Sequence, residues 1–309
     1  MHCNTRWNNL QIMKHYKDIS TFNKDIGVES PEHPLFSVTF GHKSDGGIED
    51  IIFSADFYII SFQTFISGDI TYGKKEFDHQ RGKMTFFRPN QTVTFKNVKV
   101  EDGCFLIAVK EDFLFGTFLF GEIKNYGYFD YEIKEALYLT PSEEETVWNL
   151  ARTMHKESYN NTDDYTKQIL LAHLGTLLTY SQRFYKRQFI NRIEATGAYA
   201  GRFQQELDVY YNGRVDGHPG LPTVSYMAEK LNLSSRYLSD LLKQETGKTA
   251  IELIHMYLIK EAKNLLIEDN MNISEIAYSL GFENSNYFAR LFKKEVGVSP
   301  NAFKYNGLN

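Results

Sequence analysis

Between Leu35 and about Leu139 the apolar positions fall in short runs: FSVTF, DIIFSADFYIISFQTF, DITYG, KMTFFRP, TVTF and CFLIAVK. β-Branched and aromatic residues dominate these runs, and SDGG at 44–47, SGD at 67–69, RPN at 88–90 and EDG at 101–103 punctuate them. Short runs with turn residues at regular intervals predict the strands of a small barrel or sandwich. The polar, mixed residues 1–34 read as an N-terminal arm. After Leu139 the period changes. A helix is predicted to open near Ser142, where acidic residues suit a helix N-terminus, and Val147, Leu150, Ala151 and Met154 recur at helical spacing. A second helix is predicted from about Tyr165 to Asn191, with Leu170, Leu174, Leu177, Ser181 and Phe184 spaced alternately by four and three. A dimer-forming helix and a helix packed on its own barrel fit that stripe equally. Residues 192–200, RIEATGAYA, read as a connector, and everything from Gly201 to 309 as helices with short turns.

The last hundred residues contain one pattern twice. TVSYMAEKLNLSSRYLSDLLKQETGKTAIEL is followed by NISEIAYSLGFENSNYFARLFKKEVGVSPNAF. Ala228 aligns with Ala277, Leu231 with Leu280 and Leu233 with Phe282; after one added residue, Leu238 aligns with Phe288, Leu242 with Phe292, Lys243 with Lys293, Gly247 with Gly297 and Thr249 with Ser299. A repeat of this kind uses one supersecondary unit twice. The small Ala228 or Ala277 permits a close helix crossing. Gly281 supplies a left-handed residue in the second turn. Ser234 or Asn284 caps the helix that follows, and Gly247 or Gly297 ends it. Helix, tight turn and capped second helix is a helix-turn-helix, whose second helix enters the major groove of DNA. The segment between the copies, AIELIHMYLIKEAKNLL, reads as one rigid helix, and Ser299-Pro300 opens a last short one.

Each second helix has a polar face opposite its apolar stripe. In the first copy this face holds Ser235, Arg236, Ser239, Asp240 and Lys243; in the second it holds Ser285, Asn286, Arg290 and Lys293. Arg bridges guanine O6 and N7, Asn bridges adenine N6 and N7, and Asp accepts from cytosine N4. Lys243, Lys293 and Lys294 lie toward the helix ends, where phosphates are the expected partners.

Composition complicates this picture. The 309 residues leave room for two domains, but the net charge is -5 and the pI about 6.0. From Ala198 onward there are 12 Lys/Arg and 13 Asp/Glu. DNA binding therefore requires positive charge gathered on one face rather than an overall basic domain. Cys3 and Cys104 form no CxxC pair or disulfide framework, which fits a reducing compartment. No apolar stretch resembles a signal peptide, and no run approaches the roughly 18 apolar residues of a membrane span, so a cytoplasmic protein is expected. His33, His42 and His79 are isolated and no H-x-H pair occurs, so no metal and no cofactor are expected. No nucleophile elbow, Walker loop or dinucleotide fingerprint points to an enzyme. Phe57, Tyr58, Phe62, Phe65, Phe86 and Phe87 either line a ligand pocket or form ordinary core, and core is the commoner use. Two rival readings stay open: an enzyme with a β-barrel catalytic half and a regulatory DNA-binding tail, and helix-turn-helix units that bind protein.

The segment from about Phe203 to Tyr305 resembles the AraC/XylS family of bacterial regulators, chiefly through IAYSLGFENSNYFARLFKKEVGVSP, which is similar to the family's C-terminal signature along its full length. Leu221-Pro222-Thr223 is similar to a form common in Bacteroidetes members. The family often has Arg at the position of Lys260, Pro at that of Ala250, and a polar residue at that of Ala289. The resemblance places Arg236, Ser239, Asp240, Ser285, Asn286 and Arg290 at base-facing positions. Ser235, Lys243, Lys293 and Lys294 are then expected on phosphates. It implies an α+β chain: a cupin-like β-barrel with two following helices at 35–191, for sensing and dimerisation, a linker at 192–200, and an all-α double helix-turn-helix domain at 201–309. The partners it implies are double-stranded promoter DNA, a small-molecule effector, RNA polymerase and a second copy of the chain.

Overall fold

The computed structural model describes residues 13–41, 51–63, 65–67, 82–95, 99–100, 103–159, 163–196, 198–212, 220–268 and 271–307. The chain divides into two compact units, Met1–Gln188 and Phe189–Asn309.

The first unit mixes sheet and helix. β1 (Met13–Tyr16) and α1 (Ile19–Asp25) precede β2 (Phe36–Gly41), β3 (Ile51–Ala55), β4 (Phe57–Gln63), β5 (Phe65–Ser67), β6 (Lys83–Phe87), β7 (Val93–Phe95), β8 (Lys99–Val100) and β9 (Cys104–Lys110). Two short helices follow, α2 (Glu111–Leu114) and α3 (Phe118–Glu122), then a series of 3-10 turns and β10 (Leu137–Tyr138). The unit closes with α4 (Pro141–Ser158) and most of α5 (Thr166–Thr196). The strands form a five-stranded sheet in the order β10-β6-β4-β9-β2, a three-stranded sheet β1-β3-β7 and a β5-β8 pair. Among the described residues none of these sheets closes into a barrel.

Both faces of the large sheet are covered, which is why β4 and β6 are buried along nearly their whole length. On one face, Phe57, Ile59, Phe87 and Ala108 cluster with Tyr16, Ile19, Phe22, Phe53, Ala55 and Val93. On the other, Tyr58 meets Phe129, Phe62 meets Trp148 and Phe86 meets Tyr128, with ring centroids 5.2, 5.4 and 4.5 Å apart. The five aromatic candidates Phe57, Tyr58, Phe62, Phe86 and Phe87 are thus core; of Phe65 only the strand is described. The stretch expected to be an arm supplies part of this core. β1 pairs parallel to β3, and Asp18 caps α1 by accepting the Thr21 N–H at 2.7 Å. Three apolar residues, Tyr16, Ile19 and Phe22, anchor it, too few to set a visible period.

A capping box between Thr140 and Glu143 opens α4, with Pro141 at its first position, close to the start expected from the acidic residues. The α5 stripe Leu170, Leu174, Leu177, Ser181 and Phe184 is buried within the chain itself. Tyr128 donates to the Leu178 carbonyl at 3.0 Å, and Arg187 donates to Glu143 at 2.8 Å, fixing the helix from two sides. The unit boundary falls inside α5, and α6 (Tyr199–Asn212) begins three residues after it ends. Residues 192–196 and 199–200, expected as connector, are therefore helical.

The second unit is entirely helical among its described residues. After α6 come α7 (Val224–Lys230), α8 (Ser235–Thr246), α9 (Ala250–Glu268), α10 (Ile273–Ser279), α11 (Ser285–Val296) and α12 (Pro300–Gly307). α9 packs against α8, α10, α11 and α12. Leu238, Leu241 and Leu242 of α8, Ile254, Leu258 and Ala262 of α9, and Phe288, Leu291 and Phe292 of α11 form the buried centre.

Candidate nucleic-acid interface

The two motifs are built by the same local devices. α7 and α10 are seven residues each, capped by Thr223, which accepts the Tyr226 N–H at 3.1 Å, and by Asn272 in a capping box with Glu275. Ala228 and Ala277 are buried where each first helix ends. The chain then reverses through one left-handed residue: Asn232 with φ 56° in the first motif and Gly281 with φ 92° in the second. The closing bonds are equivalent, Leu233 N–H to the Ala228 carbonyl at 2.9 Å and Phe282 N–H to the Ala277 carbonyl at 3.0 Å. Asn232 is the partner of Gly281 that the sequence reading left out; asparagine is among the few L-residues that enter this region readily.

α8 and α11 are each twelve residues long. Ser234 Oγ accepts from Tyr237 N–H at 3.2 Å, and Asn284 Oδ1 from Asn286 N–H at 2.8 Å. Gly247 and Gly297 end them in the left-handed conformation, with φ 76° and 88°. These caps fix where the outward face starts and stops. Ser235, Arg236, Lys243, Asn286, Arg290, Lys293 and Lys294 are exposed on it, while Ser239, Asp240 and Ser285 are half-buried.

Three differences separate the copies. First, α8 sets Arg236 and Lys243 against Asp240 and Glu245, whereas α11 sets Arg290, Lys293 and Lys294 against Glu295 alone. Arg236 Nε lies 3.1 Å from Asp240 Oδ2, one helical turn on; Arg290 has no such partner among the described residues. Second, Ser239 Oγ accepts the N–H of Ala250, the first residue of α9, at 3.3 Å. The equivalent positions in the second copy are Ala289 and Pro300. Pro300 has no N–H to satisfy and Ala289 no hydroxyl to offer, so the two substitutions match. Third, Tyr237 is fully buried, while its equivalent Tyr287 is 42% exposed. Arg192, at the end of α5, donates to Tyr237 Oη at 2.9 Å and to Tyr199 Oη at 3.1 Å, and Phe189 packs edge-on against the Tyr237 ring. Sequence reading missed this brace because a lone arginine in an apparent connector carries no period.

Among the described residues, no three His, Cys, Asp or Glu side chains gather as a metal-donor set. His33 stacks edge-on against Phe113 and accepts the Leu35 N–H; burial lowers its pKa. Cys104 is in no disulfide among the described residues, and Cys3, His42 and His79 lie outside them. No helix of the described residues is long and apolar enough to cross a membrane.

Residues 227–306 match the family model of a helix-turn-helix domain. Over 74 residues the chain is 38% identical to the HTH-type transcriptional activator RhaS of Escherichia coli O139:H28, covering 24% of this chain and 27% of that protein. Over 81 residues it is 35% identical to the HTH-type transcriptional activator RhaR of Cronobacter sakazakii, covering 26% of this chain and 29% of that protein. Among solved structures, the C-terminal domain of AraT, a response regulator from Geobacillus stearothermophilus, is 34% identical, covers 35% of this chain and 84% of that domain, and has a TM-score of 0.30. The C-terminal unit thus carries a helix-turn-helix domain over residues 227–306. The chain spans little more than a quarter of the length of the activators it matches.

Proposed function

We propose that the chain is a sequence-specific transcription regulator, an activator, that presents α8 and α11 to successive major grooves on one side of promoter DNA. The observation that carries this reading is the repetition of one capped scaffold at the two ends of α9, with the cations of both copies on the outward face. The 19 residues of α9 span about 28 Å at 1.5 Å per residue, near the roughly 34 Å of one DNA turn. Arg236, Ser239, Asp240, Ser285, Asn286 and Arg290 face bases in this reading, and Ser235, Lys243, Lys293 and Lys294 face phosphates. Ser239 does so with one of its oxygen's lone pairs already engaged by the Ala250 N–H.

The first unit is then the sensing and dimerising part of a cytoplasmic regulator, a cupin-like module that binds a small effector without catalysis and leaves the contact with RNA polymerase to the DNA-bound form. Selection from a random duplex pool by the purified full-length chain tests the reading. Enrichment of two short elements about ten base pairs apart is expected. Retention that ignores sequence, for full-length protein and for residues 189–309 alike, would overturn it.

A further inference from the structure

The aligned tyrosines of the two copies are put to different uses. Tyr237 is the third residue of α8 and Tyr287 the third residue of α11. Tyr237 is fully buried, and its hydroxyl takes the guanidinium of Arg192 at 2.9 Å. Tyr287 is 42% exposed, and its hydroxyl meets no donor or acceptor among the described residues. Its ring is nevertheless held. It packs at a tilt of 59° against Phe282, with centroids 5.7 Å apart, and Phe282 is itself buried. The backbone beneath it is fixed as well, since the Tyr287 N–H donates to the Asn284 carbonyl at 3.1 Å in the cap of α11.

The surroundings of this phenol are cationic. Residues three or four apart are neighbours on a helix surface, so Tyr287, Arg290 and Lys294 form one row along α11. All three are exposed. The row begins in the first turn, the end of a recognition helix that approaches the DNA. A phenol offers one donor on a long, stiff side chain. It lacks the paired groups with which arginine or asparagine tells one base from another. A phosphate oxygen asks for a single donor, and tyrosine is among the side chains that supply it.

We propose that Tyr287 is a phosphate anchor of the second motif: its hydroxyl donates to a DNA phosphate oxygen at the edge of the groove that α11 enters, on the side of Lys294. The proposal rests on the DNA-binding reading given above. The first motif lacks this contact because its tyrosine is committed to Arg192. With the ring already seated on Phe282, little side-chain freedom is lost when the bond forms.

The test is fluorescence anisotropy of the full-length chain with the selected operator and with a random duplex. Tyr287→Phe keeps the ring on Phe282 and removes only the hydroxyl. It should weaken both duplexes alike by about tenfold, the low end for a hydrogen bond to a charged group. The slope of log affinity against log salt should stay unchanged, because no cation is removed; Lys293→Ala and Lys294→Ala should each lower it. The urea midpoint should not move, since the hydroxyl holds nothing within the chain. A scan of single methylphosphonate replacements along the element read by α11 should find one position at which wild type and Tyr287→Phe bind equally. A Tyr287→Phe chain that binds as wild type does, a loss confined to the operator, a shallower salt slope or a scan with no such position would each overturn the anchor. The failures separate: sequence-selective binding that Tyr287→Phe leaves intact keeps the regulator and removes the anchor, whereas a wild-type chain that retains neither duplex removes both.

Discussion

The two helix-turn-helix copies share caps, lengths and the left-handed turn residue, yet they differ in charge and in what holds them. α8 is electrically balanced and braced by Arg192 through Tyr237; α11 carries a surplus of cations and leaves Tyr287 in the open. The shared features are those the backbone demands, because orphan N–H groups at helix starts and a reversed φ at the turn must be satisfied in any copy. The differences sit on side chains whose surroundings differ. A scaffold can thus be duplicated while its outward chemistry diverges.

The largest expected contrast is in stability. Tyr237→Ala removes a buried ring and strips Arg192 of a partner, and should cost about 3–5 kcal/mol; Tyr287→Ala should cost about 0.5 kcal/mol. Urea denaturation followed by hydrogen exchange at α8 and α11 measures both, and equal losses would break the comparison. Next is DNA affinity. Arg290→Ala should cost about 1–3 kcal/mol on the selected operator, and Arg236→Ala less, because Asp240 already neutralises it. Lys293→Ala should weaken operator and random DNA alike and lower the salt slope by about 1. A fluorescence-anisotropy salt series on both duplexes reads these effects, and an Arg236 loss exceeding that of Arg290 would reverse the assignment. Third, Gly281→Ala should cost about 1–2 kcal/mol, the strain of a left-handed L-residue, whereas Asn232→Gly should be nearly neutral by thermal denaturation. Smallest is Ser239→Ala, about 1 kcal/mol for the stranded Ala250 N–H. The Ser239→Ala, Ala250→Pro double variant should recover most of that loss, and a double variant no better than the single would refute the match with Ala289 and Pro300.

Much of the second unit was legible in the sequence because its devices are local. Ser234, Asn284, Gly247, Gly281 and Gly297 announce a cap or a turn within a few residues of the structure they make. Asn232 escaped notice because it reads as an ordinary polar residue until set against Gly281. The first unit was legible as α+β texture and no further. Its strand order and the parallel pairing of β1 with β3 depend on contacts distant in sequence, and Tyr16, Ile19 and Phe22 sit among polar neighbours that hide their burial. The α5 stripe fitted two uses until the structure buried it within the chain. The ranking of the outward residues was the least legible part of the candidate site, since spacing alone makes Ser239 and Arg236 equals of Arg290, and only their partners distinguish them.

The Ser239–Ala250 bond has a consequence for anyone who would retarget this protein. Copying the outward surface of α11 onto α8 imports alanine at position 239 and silently disconnects the start of α9, the helix that joins the two copies. If α8 reads DNA as proposed, the exchangeable module is larger than that helix, and a graft that stops at Thr246 would change register and specificity together.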